Sequence, residues 1–486
     1  MYSVPEELYF RIHHVRPRFK GDIENVLIYV ATEISKLPSL PKDEFAGNIN
    51  RSIMCFPGNS IRTEKTINNW RTEISALFGY MITVEDNTRP GKRAMELAEK
   101  QDLVESFKIF LYSFQYPGAH VKPNYVQELI EAGIRFKPAQ YILKLLQYAE
   151  ESTGNRIGIT KAEVCHCIFN DLRCTRDNED VTLTWERIKA NRDNRVAYNQ
   201  NGDVIRYAGD ILDYMEIANL LITYSGGVYY LNSLENEAII KFVNSEEWYT
   251  GYDSLITSRH ATLSEINKCI VGWFEYVNRD ISETDFETDI LAYIADSKAE
   301  YEELKKTSYD LFGEKLESVD TLSTKDIGDI GESLVHGHEC QRVKIGARED
   351  LIHLIKRIPT QFAVGYDILS VELDSRKRCI EVKTTISARP IHFNKFHLTT
   401  NEWNAAESYN DRYFVYRLMI SKYERKLFVL QDPVKLYKTD LIQMVPRDGA
   451  DITFDTAKPG EFKELLSWEK LESHRYSAVA EEQISD

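Results

Sequence analysis

Residues 364–385 read VGYDILSVELDSRKRCIEVKTT. Two β-rich runs, VGYDILSVEL and RCIEVKTT, flank the polar turn DSRK, and runs joined by so short a turn pair as an antiparallel hairpin. On the second run Ile380 and Val382 alternate with Glu381 and Lys383. A strand therefore puts the carboxylate and the ammonium on one face and the apolar pair on the other. Asp367 opens the first run, so one acid and a Glu-x-Lys converge at one end of a twisted sheet.

Phosphodiester hydrolysis needs that set. Two carboxylates bind a hard divalent ion such as Mg²⁺, which polarises the phosphate and acidifies a bound water, while a lysine positions or activates that water and offsets developing charge. The barrier reduction required is roughly 8–23 kcal/mol, so no single charge suffices. Glu-x-Lys alone carries little information, because Glu303 and Lys305, Glu424 and Lys426, and Glu461 and Lys463 share the spacing. The first pair sits in a helical run. The second, although Asp411 precedes it, falls in the polar turn SKYERK, and the third follows Pro459 and Gly460 with helix-like sequence behind it. Glu381 and Lys383 alone combine β-alternation, an upstream strand-borne acid and a preceding acidic helix, GDIGESLVHGHECQRV.

Residues 326–418, carrying GDIGESLVHGHE, VGYDILS, RCIEVKTT, FHLTTNEWNAA and DRYFVYRL, resemble the PD-(D/E)XK nuclease superfamily, in the branch typified by the C-terminal domain of the plant NO VEIN protein. The resemblance covers about a fifth of the chain. It implies Asp367, Glu381 and Lys383 as the catalytic core, Asp367 and Glu381 as the Mg²⁺ ligands, and Glu332 on the first helix as an additional metal or water contact. Asn401, Glu402 and Trp403 match the following helix, where the implied role is structural. His336 lies one helical turn beyond Glu332 and His338 follows it; a surface histidine is the commoner reading of both. The residue before Asp367 is Tyr366 rather than proline.

Upstream, Ile67, Trp70, Ile74 and Leu77 recur at helical spacing between Glu64 and Phe78, with Lys65, Asn68, Asn69 and Thr72 on other faces and Gly79 as a stop. The short β-run YMITVE, the turn DNTRPG and the helical KRAMELAEK follow. Helix, strand, turn, helix is the order of a winged helix-turn-helix, with Arg89, Lys92 and Arg93 at or just past the wing. A second instance runs from PAQYILKLLQYAEE through a capping box at Thr160 and Glu163, opening the helix TKAEVCHCIF. After a polar insert come the helical GDILDYMEIANLL and two β segments, LLITYSGGVYYLN, across a Ser-Gly-Gly turn. The element order, with NINRSIM, NNWRTEISALFGYM and TRPGKRAMELAE, is similar to the recognition regions of asymmetric-site restriction endonucleases such as BpuJI and AlwI. A reader attached to a cutter is the architecture implied, with Lys65, Asn68, Asn69, Arg71 and Arg89 as the candidate DNA contacts.

Near the start, Arg11, Arg16, Arg18 and Lys20, with His13 and His14 among them, form a basic patch without a carboxylate; its simplest reading is a solvated arm. Cys165, His166, Cys167 and Cys174 invite a zinc reading. Cys165 and Cys167, two apart on an expected helix, point about 200° apart around its axis, so buried small hydrophobes account for them better.

The expected fold class is multidomain α+β. Residues 1–120 and 121–250 are two winged-helix regions, 251–320 an acidic helical connector that keeps the cutter off the DNA until the reader docks, 321–440 an α/β PD-(D/E)XK domain, and 441–486 an extension with the acidic tail AVAEEQISD. The whole chain of 486 residues, 43% hydrophobic and 28% charged, has material for two or three cores. Its net charge of −16 argues against coating nucleic acid by bulk charge and leaves room for a local basic face. Seven cysteines at irregular spacing read as reduced thiols in the cytoplasm. No apolar leader or membrane-spanning run is seen, and no membrane partner is expected.

The resulting expectation is a Mg²⁺-dependent, site-specific DNA endonuclease of restriction or phage-defence type. It acts on double-stranded DNA and dimerises at least transiently there, because one constellation hydrolyses one strand at a time. The alternatives are a DNA-binding regulator with an inactive nuclease-fold scaffold, and a nuclease acting on RNA or as a subunit of a larger defence complex.

Overall fold

The structure, a computed structural model, describes residues 4–12, 23–56, 64–224, 226–281, 286–295, 297–302, 327–358, 362–389, 391–392, 394–422, 424–457 and 460–464. The chain divides into two compact units, Met1–Glu287 and Thr288–Asp486. Among the described residues no helix is long and apolar enough to cross a membrane.

In the first unit the expected order appears twice. The Glu64–Phe78 helix buries Ile67, Trp70 and Leu77 and stops at Gly79, whose φ of +68° suits a residue without Cβ. Strands β2 (Met81–Val84) and β3 (Asn87–Pro90) then pair antiparallel, with β1 (Leu40–Pro41) on the outer edge of β3. The second sheet orders β4 (Gly158–Thr160), β6 (Val228–Leu231) and β5 (Leu221–Tyr224), the last two joined across Gly226 and Gly227. The Thr160–Glu163 capping box forms. The helix expected behind it instead widens after one turn into a π-helix over Val164–Phe169, where Cys165 and Cys167 are both buried.

These two modules, expected as separate regions, share one core. Phe78 from the first and Tyr214 from the second meet at 6.2 Å between ring centroids, and Phe107 and Phe110 of the Leu103–Ser113 helix pack against both. The expected connector also begins inside this unit. The Leu263–Val277 helix buries Ile266, Trp273 and Val277 along one stripe, so its acidic texture belongs to the opposite face. The later part of that segment, 303–326, lies outside the described residues.

The second unit is built on a six-stranded sheet ordered β15-β12-β11-β9-β8-β7. Its strands are β7 (Lys356–Arg357), β8 (Ile368–Val371), β9 (Lys377–Ser387), β11 (Tyr413–Ser421), β12 (Arg425–Gln431) and β15 (Glu461–Glu464). The β9–β11 pairing is parallel and the others antiparallel. A parallel pair needs a crossover, and that connection contains β10 (Lys395–Thr399) and the Thr400–Tyr409 helix. β10 pairs with β14 (Gly449–Phe454), which pairs with β13 (Ile442–Pro446). Ile442–Pro446, Gly449–Phe454 and Glu461–Glu464 are thus integral strands rather than an extension, and Glu461 lies in a strand rather than before a helix.

Candidate active site

The hairpin forms as the alternation requires, with Ile368 opposite Ile380 and Val371 opposite Lys377. Asp367 stands just before β8. Its backbone N–H donates to Ile380 O at 2.9 Å, and its Oδ2 accepts from Val382 N–H at 2.7 Å. The Asp367 and Glu381 carboxyl groups act on one another electrostatically. Lys383 Nζ lies 2.7 Å from Glu381 Oε1 and 2.9 Å from Glu402 Oε2. The predicted trio therefore meets, and a fourth residue joins it.

Glu402 reaches the cluster because the Thr400–Tyr409 helix starts there. Thr399 and Glu402 form a reciprocal capping box, with Thr399 N–H donating to Glu402 Oε2 at 2.9 Å. One carboxylate both caps the helix and pairs with the lysine. The T-x-x-E pattern fixes the helix start; the pairing with Lys383 is tertiary.

The electrostatics follow from burial. Desolvation raises the proton affinity of Asp367 and of Glu381, the latter well above the usual carboxylate range. Burial pulls the Lys383 ammonium down, and the Glu381 and Glu402 charges more than offset this, so it holds its proton firmly. Glu402, also penalised by burial, is held below its ordinary value by Lys383.

Two contacts brace this arrangement. Arg417, in register with Lys383 on β11, is buried and donates to Lys383 O at 3.2 Å and to Thr385 Oγ1. Gly365, at φ +79°, comes so close to the following helix that a Cβ would lie 2.5 Å from Asn401 O. The Asp367 loop and the Glu402 helix are thereby locked together.

Glu332 accepts from Arg357 Nη2 of β7 at 2.8 Å. His336 Nε2 lies 3.4 Å from Ile355 O, and His338 is buried with its ring 6.3 Å from Tyr416. On the opposite sheet face from Lys383, fully buried Glu339 accepts from Ser370 at 2.7 Å, Tyr416 at 2.7 Å and Arg342 at 2.8 Å, with Arg378 at 3.3 Å. Burial opposes its ionisation, but these donors bring its pKa down to about 2.

Among the described residues no group of three or more His, Cys, Asp or Glu is arranged as a metal cluster. Magnesium asks for less, one or two carboxylates with water and substrate phosphate completing its shell. Asp367 and Glu381 are buried hard oxygen donors whose charges act on one another, so they fit a small cation.

In the first unit, Lys65 and Arg89 are exposed. Asn68 and Arg71 are half-buried and join Asn50, which sequence reasoning missed: Asn50 Nδ2 donates to Asn68 Oδ1 at 2.7 Å, and Arg71 Nη1 to Asn50 Oδ1 at 3.0 Å. The side chain of Asn69 lies outside the described residues, as do His13, His14, Arg16, Arg18 and Lys20. Arg93, expected near the wing, is instead buried, donating to Val277 O at 2.9 Å. Cys165 and Cys174 are buried, and burial pushes their thiols up to about 12 and about 11.

The family model described as restriction endonuclease BpuJI, N terminal, matches residues 2–274, more than half of the chain. The chain belongs to this BpuJI N-terminal family. A second model, described as protein NO VEIN, C-terminal, matches residues 332–430 and so takes in Asp367, Glu381, Lys383 and Glu402. The BpuJI-type region thus precedes a NO VEIN-type region in one restriction-endonuclease-related chain. A solved structure of the BpuJ1 endonuclease binding domain with pyrene- and phenanthrene-modified DNA is similar at 23% identity and a TM-score of 0.49, covering 56% of this chain and 99% of that one. None of the curated proteins matches the chain.

Proposed function

We propose that the chain is a magnesium-dependent, site-specific DNA endonuclease of restriction or phage-defence type. In this reading tandem winged helices in the first unit recognise double-stranded DNA, and a PD-(D/E)XK domain in the second hydrolyses it. The observation that carries the reading is the meeting of Asp367, Glu381 and Lys383 from two adjacent strands, with Lys383 Nζ 2.7 Å from Glu381 Oε1. Membership of the BpuJI family supports the restriction type.

Asp367 and Glu381 would hold the magnesium ion, which supplies Lewis-acid polarisation of the phosphate and acidifies a bound water. Lys383 remains an ammonium and offsets negative charge as it builds on the phosphate oxygens. Glu402 orients Lys383, and Arg417 braces that strand through Lys383 O. The exposed Lys65 and Arg89 contact phosphate, while the Asn50–Asn68–Arg71 group sets the register of the recognition helix. Cleavage of both strands takes two such domains, so a dimer forms at least transiently on DNA.

The decisive test mixes the full chain with unmodified genomic or plasmid DNA with and without Mg²⁺, beside Lys383→Ala. Mg²⁺-dependent cleavage that Lys383→Ala abolishes supports the reading. Binding without cleavage by either protein would replace it with the DNA-binding regulator.

A further inference from the structure

The small sheet of the second unit ends on an open edge. β13 is the last strand in the order β10-β14-β13 and pairs with β14 on one side. Outside that ladder, no group among the described residues bonds to the backbone of Ile442–Pro446. Its outer N–H and C=O groups are therefore placed to receive another strand. Natural sheets ordinarily blunt such edges with charge. The other edge strands described in this unit do so: β7 is Lys-Arg, β15 is Glu-Phe-Lys-Glu, and β10 carries Lys395 and His397. β13 reads Ile-Gln-Met-Val-Pro and has no charge. Val445 on it is 60% exposed, and the exposed Leu441 precedes it. Pro446, which has no N–H to offer, closes the open stretch after a few residues.

A second copy of this chain fits that edge. Laid antiparallel on itself about Met444, the strand brings Met444 opposite Met444 of the second copy and Val445 opposite its Gln443. The arrangement is two-fold and uses the same edge once in each copy, so it stops at two copies instead of growing into a filament. A short strand covers far less than the area of about 1,200 Å² below which interfaces are weak and transient. The chain is therefore a monomer until DNA brings two copies together.

We infer that β13 is the strand through which two copies pair on DNA, joining their three-stranded sheets edge to edge. The inference deepens the nuclease reading above and rests on it, because cleavage of both strands is what calls for a second domain.

Cross-linking of the full chain tests the register. Cys55, an exposed thiol, is replaced by serine, and Gln443→Cys, Met444→Cys and Val445→Cys are made separately in that background. Opposed Cα atoms in an antiparallel pair lie about 4.5–5.5 Å apart, within disulfide range. Positions 443 and 445 are each two places out of register with their own copies, beyond the limit of about 7 Å. With plasmid DNA, EDTA and diamide, Met444→Cys should form a covalent dimer, several-fold more than without DNA and several-fold more than either neighbour. Cys55→Ser alone should form none. No dimer from Met444→Cys in folded, DNA-bound protein, or equal yields at all three positions, overturns the inference. Should the chain fail to bind DNA, the same comparison at high protein concentration decides whether the edge pairs. In a second arm, Val445→Lys sets ammonium groups along the paired edge, and melting curves check its fold. Its Mg²⁺-dependent cleavage of supercoiled plasmid should shift from linear product to nicked circles; linear product at the wild-type rate overturns the inference. A wild type that cuts nothing while Met444→Cys still cross-links in register sinks the nuclease reading alone.

Discussion

Lys383 sits between Glu381 and Glu402, 2.7 Å from one carboxylate and 2.9 Å from the other, and so joins its own strand to the helix that follows. Replacing it with alanine removes the cation from a cluster of buried acids. Lys383→Ala and Asp367→Asn are each expected to lower DNA cleavage by about 10²–10⁴-fold while leaving DNA binding in place. Gel-shift and cleavage assays on the same preparations check this.

Glu402→Gln separates the two duties of that residue. Glutamine still completes a capping box, so the melting temperature should move little. The charge that holds Lys383 is lost, and cleavage is expected to fall by about tenfold, as for an interaction of roughly 1.4 kcal/mol. A large loss of stability with unchanged cleavage would contradict this division.

Glu339 gives a prediction in pH. Its folded pKa of about 2 lies below the ordinary 4.5, so its contribution to stability is complete above about 4.5 and is lost as pH falls toward 2. The displacement corresponds to about 3 kcal/mol. Urea unfolding at pH 6 and pH 3 should show the wild type losing more stability than Glu339→Gln, which starts about 3–5 kcal/mol lower through its unpaired arginines.

Lys65 and Arg89 offer a test by salt. If each neutralises one phosphate, Lys65→Ala and Arg89→Ala should each make the slope of log affinity against log salt shallower by about 0.9. Arg71→Ala should differ, because it breaks a contact within the protein, to Asn50 Oδ1 at 3.0 Å. Fluorescence anisotropy across a salt series distinguishes them.

The hairpin was legible because its signals are local: a period of two through Ile380 and Val382, a polar turn, and an acid at the start of the partner strand. The short strand pairs of the first unit, β2 with β3 and β5 with β6, were legible for the same reason. What escaped was set by distant chain. Glu402 meets Lys383 only after a crossover, and the Arg357 that pairs with Glu332 comes 25 residues later. Arg93 resembles a surface cation in its own segment, yet the helix that buries it comes 184 residues later. The 251–287 segment looked like a spacer because its charges are conspicuous and its apolar stripe, Ile266, Trp273 and Val277, is sparse.

The tight seat of Gly365 against Asn401 has a mechanical consequence. With no side chain to cushion the contact, backbone presses on backbone, and the aspartate lies only two residues further along. Any side chain at position 365 would have to push the start of the Thr400–Tyr409 helix, and Glu402 with it, away from the loop that carries Asp367.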